Sequence, residues 1–283
     1  MERFKIIHRT YYNYSNNVDL GTHNLLLRPR ENHELRIESF TLNITPKAKI
    51  LWHLDVEDNS VAIATFNTAT QQLFIESEVI IQQYNESPLD FIVADYAINY
   101  PFKYLPNDNF ILSSYMVLPN EESRILLNNW IYNVYKYSEK IQTYTLLQKL
   151  TIYIFKNFIY KVREEEGVQT AKQTLAYGSG SCRDFAFLFM EVVKCLGLAT
   201  RFVSGYLYAP LMSEQVGSTH AWAEVYLPGG GWKGFDPTTG NIVGKDHISV
   251  AVSRLPDNVP PIAGSFSGIA DSTLSVGVWV TKI

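Results

Sequence analysis

The stretch Gly178-Ser179-Gly180-Ser181-Cys182-Arg183-Asp184-Phe185 delivers one cysteine to the point where a Gly/Ser-rich turn enters an amphipathic helix. A cysteine in a helix's first turn faces the positive end of the macrodipole and amides without intrahelical partners, and both favour thiolate over thiol. Ser181 suits the N-cap, and Asp184 suits the acidic preference of the first turn. The chain's other cysteine, Cys195, lies toward the opposite end of the same helix, beside its apolar face. The dipole opposes ionisation there, so Cys195 reads as structural. A nucleophilic thiol needs a base, and the base needs an orienting group. Of the six histidines, His220 alone combines a strand start, small neighbours and a place near Cys182 in the chain's second half. His8, His23, His33 and His53 fall in the N-terminal strands, and His247 falls in what reads as a polar loop. Asp236, in Gly234-Phe235-Asp236-Pro237-Thr238, ends the next strand and is the candidate orienter of His220. A hairpin closing symmetrically about Pro228 sets Asp236 opposite His220; closure on the glycines of Pro228-Gly229-Gly230-Gly231 offsets them by about three positions and requires a bulge.

The elements that must position these residues follow from periodicity. From Cys182 the apolar positions Phe185, Leu188, Phe189, Val192, Val193 and Leu196 trace one helical face, with Gly197 to stop it. Strands are expected over Ala199 to Tyr208, Thr219 to Leu227 and Gly231 to Phe235, then Ile248 to Val252 and Leu274 to Thr281. Upstream, Glu121 to Tyr137 and Tyr144 to Tyr160 have helical spacing. Residues 1–85 read as short strands at regular intervals, a β-sandwich pattern. The first strand is broken at Ser15-Asn16-Asn17, and a bulge is expected between Ile37 and Phe40. Arg28-Pro29-Arg30 reads as a strand end whose arginines cover a sheet edge, and Asp55, Glu57 and Asp58 as a hairpin tip. Prolines 88, 101, 106 and 119 punctuate a linker. The expectation is an α+β chain with a β-rich domain over 1–100 and a catalytic domain over 101–283.

Composition narrows the setting. The chain has 283 residues, 46% hydrophobic and 18% charged, so a sizeable core is available and disorder is disfavoured. The net charge of -4 and the lack of a basic block argue against nucleic acid as partner. Cys182 and Cys195 would lie about 20 Å apart on one helix, too far for a disulfide. Two unpaired thiols suit a reducing compartment, and neither a signal peptide nor an apolar run of spanning length is present, so a cytoplasmic protein with no membrane partner is expected. No C-x₂-C or H-E-x-x-H spacing exists, so a metal site built from Cys182, His220 and Asp236 is disfavoured and no cofactor is expected.

Gly180-Ser181-Cys182-Arg183-Asp184-Phe185-Ala186, Thr219-His220-Ala221-Trp222-Ala223-Glu224-Val225-Tyr226 and Gly231-Trp232-Lys233-Gly234-Phe235-Asp236-Pro237-Thr238 resemble, in order, the three core motifs of the transglutaminase-like superfamily. Tyr12-Asn13-Tyr14-Ser15, Leu27-Arg28-Pro29-Arg30 and the tail around Asp246-His247-Ile248 resemble the bacterial transglutaminase-like proteins. The resemblance implies a papain-like core, Cys182 as nucleophile, His220 as general base and acid, Asp236 as its orienter, and a cysteine protease acting on protein or peptide. An oxyanion would be held by the Cys182 amide and a second donor, with Tyr160 the candidate; Trp222 is a candidate wall of the substrate cleft. The absence of a D-x-[DN]-x-[DN]-G loop disfavours a calcium-dependent cross-linking enzyme. Amine transfer, and a non-catalytic scaffold that kept the fold, are the competing readings.

Overall fold

A computed structural model describes residues 2–84, 90–137, 139–163, 165–209 and 219–283. Pro88, one of the expected linker residues, lies outside them. The strands of the first region are β1 (Glu2–Leu20), β2 (His23–Leu25), β3 (Leu35–Thr45), β4 (Lys49–Leu54), β5 (Ser60–Thr65) and β6 (Thr70–Gln83). In β1 every second residue from Phe4 to Thr10 is buried, the period-2 pattern of a strand with one face inward. The expected break at Ser15-Asn16-Asn17 is instead a register irregularity against β6, between Asn13 and Val18, within a continuous strand. The bulge expected in β3 is present, between Ile37 and Ser39. Two sheets result, β1, β6 and β3 in one and β2, β5 and β4 in the other, closing over Tyr14, Val18, Leu25, Ala62, Leu73 and Ile75.

Helices follow: α1 (Pro106–Leu112), α2 (Glu121–Ile131), α3 (Thr143–Asn157), α4 (Ala171–Tyr177) and α5 (Cys182–Cys195). Helices α1 and α4 lie where no helix was expected; each is only seven residues long, too short for a periodic stripe to register. Helix α2 stops short of Tyr137 because its last bonds tighten to i→i+3, Asn133 N–H to Trp130 O and Val134 N–H to Ile131 O. Helix α3 stops short of Tyr160 because Phe158 turns extended and Ile159–Tyr160 (β7) pairs in parallel with Ser179–Gly180 (β8). That pairing ties the end of α3 to the turn before Cys182.

The second sheet region is antiparallel: β9 (Thr200–Leu207), β10 (His220–Leu227), β11 (Gly231–Asp236), β12 (Asn241–Ile242) and β13 (His247–Ser253), in the order β12-β11-β10-β9-β13. One face carries α5 through Phe185, Leu188, Phe189 and Val192 on Ala221, Ala223, Val225 and Phe235. The other receives the first region through Phe4, Ile6, Val79 and Ile81 on Tyr206, Ile248 and Val250. The boundary expected at residues 100–101 does not hold for the tail. Its last strand, β14 (Ser272–Lys282), pairs with β1 from Tyr14 to Phe4, so the chain's end completes the first sheet rather than the second.

Arg30 also departs from the expected edge cover. It donates to Glu57 O at 2.7 Å and Asn59 Oδ1 at 2.6 Å. The buried Asn59 side chain in turn pairs both ways with the backbone of Val252 on β13, at 2.8 and 2.9 Å. Removing this amide leaves a buried backbone N–H and C=O unpaired. Asn59→Ala is therefore expected to lose about 1–3 kcal/mol of unfolding free energy, read as a lower urea midpoint; an unchanged midpoint would mean the clamp contributes nothing.

Candidate active site

Helix α5 begins at Cys182 because Asp184 caps it. This fully buried carboxylate accepts the Ser181 amide at 2.7 Å and the Ser181 hydroxyl at 2.8 Å through Oδ2. Its Oδ1 accepts Arg163 Nη1 at 2.6 Å and the Gln169 amide at 2.7 Å. Burial pushes the acid up, but the two amides, the guanidinium and the hydroxyl outweigh it and hold Asp184 below the usual carboxylate range. Asp184 thus does more than complement the dipole: it fastens the thiol's helix to the loop after β7. Gly180 is required in this approach, since a Cβ there would stand 2.9 Å from the Asp184 Cβ.

His220 opens β10. Its Nε2 lies 2.8 Å from Asp236 Oδ2, and Cys182 is near enough to help raise its pKa. The hairpin takes neither of the two expected registers. Leu227 pairs with Gly231 and Ala223 with Phe235, which puts Asp236 one step on, opposite Trp222 and two positions from His220. A two-residue offset keeps side chains on the same face, so no bulge is needed. Asp236 is fully buried, and it also accepts the Thr238 amide at 2.9 Å through Oδ1 and the Thr239 hydroxyl at 2.9 Å through Oδ2. Burial alone would raise its pKa; the hydrogen bonds and charges of His220 and His247 reverse this and hold it far below the usual range. Burial likewise disfavours the charged ring of His220, but Asp236 and Cys182 overcome it and push His220 up to about 10.

His247 corrects an expectation. It sits at the start of β13 rather than in a polar loop, is 7% exposed, and brings Nε2 to 3.2 Å from Asp236 Oδ2. The available signal was the alternation Ile248, Val250, Val252 directly after it, the same strand-start context that singled out His220. Trp222 does not wall an open cleft: it is 1% exposed and packs beneath the imidazoles, its ring centroid 5.2 Å from His247 and 6.1 Å from His220. Tyr160, on β7, is half-exposed, and burial first, then nearby Cys182, raises its phenol. Cys195 is free, like Cys182, and burial first, then Glu191, pushes its thiol up to about 11. Beside the start of α5 a cavity of about 690 Å³ opens, lined by Lys161, Arg163, Gln169, Ser179 and Gly180 among others.

The ligand atoms of His220, Asp236 and His247 fall within 4.8 Å of one another, a spacing a metal can use. Their hydrogen bonds argue against that use. Oδ2 already takes both imidazoles and the Thr239 hydroxyl, so the donors converge on the carboxylate rather than on a vacant centre. Among the described residues no helix is long and apolar enough to cross a membrane.

Comparison with known proteins bears on the fold around these residues. Residues 135–237 match the transglutaminase-like superfamily, and residues 4–82 match the bacterial transglutaminase-like N-terminal region. The stretch from residue 135 to 237, which holds Cys182, His220 and Asp236, is thus a transglutaminase-like core. An uncharacterised Mycobacterium leprae protein is 38% identical over 109 residues, covering 37% of this chain and 38% of that one. An uncharacterised Mycobacterium tuberculosis protein is 32% identical over 143 residues, covering 47% and 46%. The matched part thus spans less than half of either curated relative. A structure described as a candidate cysteine protease from Cytophaga hutchinsonii covers 100% of this chain and 91% of its own at 18% identity, with a TM-score of 0.77. At that identity the likeness concerns the fold.

A histidine whose pKa is raised on folding adds stability that is complete below its unfolded value and is lost as pH rises through the folded one. For His220 the window runs from its ordinary 6.5 to about 10. The difference in urea stability between the wild type and His220→Ala is expected to shrink steadily across that window; a constant difference would contradict the imidazolium assignment.

Proposed function

We propose that the chain is a cysteine hydrolase that cleaves peptide, isopeptide or carboxamide bonds through a thioester on Cys182. The observation that carries this is the His220 imidazole bound through Nε2, at 2.8 Å, to the buried Asp236 carboxylate, with Cys182 near enough to help raise the ring's pKa. A raised His220 favours the imidazolium–thiolate pair at neutral pH. The thiolate attacks the acyl carbon, and His220 gives its proton to the leaving nitrogen as the C–N bond breaks. The neutral ring then takes a proton from water, whose oxygen attacks the thioester and releases a carboxylic acid and the thiolate. Asp236 holds the ring in the tautomer that leaves Nδ1 for these transfers.

The developing oxyanion falls to the Cys182 amide at the start of α5 and to the Tyr160 hydroxyl. Burial and the neighbouring thiolate keep that phenol protonated, as a donor must be. The cavity beside Gly180 offers a seat for the chain flanking the scissile bond. A protein or peptide substrate and a reducing, cytoplasmic setting fit the same reading, since Cys182 acts only while reduced. A non-catalytic scaffold would have no use for a buried carboxylate aimed at an imidazole near a thiol.

A panel of peptide, isopeptide and carboxamide substrates, with and without a primary amine, tests the proposal. Cys182→Ala is expected to abolish turnover, and Tyr160→Phe to lower kcat by about 10-fold or more with the oxyanion donor gone. Water is expected to outcompete added amine; predominant amine incorporation would assign transfer instead. Equal turnover by wild type and Cys182→Ala would overturn the reading.

A further inference from the structure

Asp236 has more donors than the orientation of a single imidazole needs. Oδ1 is held by the Thr238 amide at 2.9 Å. Oδ2 takes His220, the Thr239 hydroxyl and, at 3.2 Å, His247 Nε2. The third donor comes from far away in the sheet. His247 begins β13, which is separated from β10 by β9: Leu207 of β9 pairs with His247, and Gly205 pairs with His220 on the other edge.

The geometry points to His247 as a positioning residue, a constant hydrogen-bond donor that keeps Asp236 ionised and aimed while His220 gains and loses its proton. This rests on Cys182 and His220 being the nucleophile and the acid–base group. The tautomer follows from the partners. The Gly244 amide donates to His247 Nδ1 at 3.4 Å, so Nδ1 is an acceptor and the proton sits on Nε2, facing Asp236. The ring is held in place by Trp222, edge-on at 5.2 Å. Trp222 in turn needs Gly205: a Cβ there would stand 2.6 Å from the indole. At 7% exposure, His247 sits behind the carboxylate rather than at the thiol.

The catalytic cycle gives this arrangement its purpose. When His220 is an imidazolium, its charge stabilises the buried Asp236. Once His220 has delivered its proton, the carboxylate has lost its cation but is still fully buried. Donors that do not titrate in step with the reaction must then hold it ionised, or it would take up a proton and release the ring. Among the described residues the titratable groups that act on Asp236 are His220 and His247, and those that act on His220 are Asp236 and Cys182. Of the two that face Asp236, only His247 lies outside the proton transfer. Losing one hydrogen bond to a charged group outweighs the small gain in charge density left for His220.

Iodoacetamide alkylation of the full chain, followed peptide by peptide across the neutral pH range, tests this without a known substrate. In the wild type Cys182 is expected to react much faster than Cys195. His247→Leu, which fills the space without a donor, is expected to slow Cys182 about 10-fold at neutral pH and move its profile to higher pH, with Cys195 still slow because the fold is intact. His247→Gln, whose amide supplies an N–H, is expected to recover most of the rate. Should the leucine variant misfold, seen as a fast Cys195, a glutamine variant with wild-type rate and profile still supports the donor role, and one as slow as a donor-free site overturns it. A fast wild-type Cys182 that is unmoved, or accelerated, by the leucine substitution overturns this inference alone. A wild-type Cys182 no faster than Cys195 overturns the nucleophile reading and this inference with it.

Discussion

A carboxylate removed from water must be met by donors or it will not stay charged, and Asp236 imposes that constraint on the whole second sheet. Its partners come from the next strand in His220, from the turn that follows it in Thr238 and Thr239, and from the far edge of the sheet in His247. Each fixes something larger. The register of β10 on β11 must leave His220 on the Asp236 face. The turn after Asp236 must fold back on it. Strand β13 must lie so that its first residue reaches across.

A second buried carboxylate works the same way beside Cys182. Asp184 ties the amide and hydroxyl before Cys182 to Arg163 and Gln169. The thiol's helix is thereby locked to the loop that follows β7. The two acids divide the labour: Asp184 sets the position of the sulfur, and Asp236 sets the ring. Neither touches what would be transformed. The first region contributes through its docking on the same sheet, where Asn59 pairs with Val252 and Phe4 and Ile6 pack on Ile248 and Val250. Those contacts hold β13, and with it His247. Chain termini that pair as β1 and β14 make the first region one unit with the tail.

What could be read from the residues alone was what is local. The apolar stripe of α5, its start at Cys182, the strand opening at His220 and the β3 bulge all rest on period or on turn chemistry within about ten residues. Asp184 was visible as a first-turn acid, but its bonds to Arg163 and Gln169 depend on a loop brought back by β7 and β8. The hairpin register lay between the two offered, because turn residues alone do not determine it. His247 and Trp222 were misplaced for a related reason. Their contacts cross two strands, over a glycine whose importance lies in what passes above it. The tail's return to β1 is a pairing across nearly the full chain, which no window of sequence can carry.

The central claim is that His220, held by Asp236, makes Cys182 an acyl-accepting nucleophile. An activated p-nitrophenyl ester, quenched in acid and mapped by peptide mass, tests it most directly. The account predicts an acyl group on Cys182 and not on Cys195, formed about 10²-fold or more slowly in His220→Ala and in Asp236→Asn. Acylation spread equally over both cysteines, or unchanged in those variants, would contradict it.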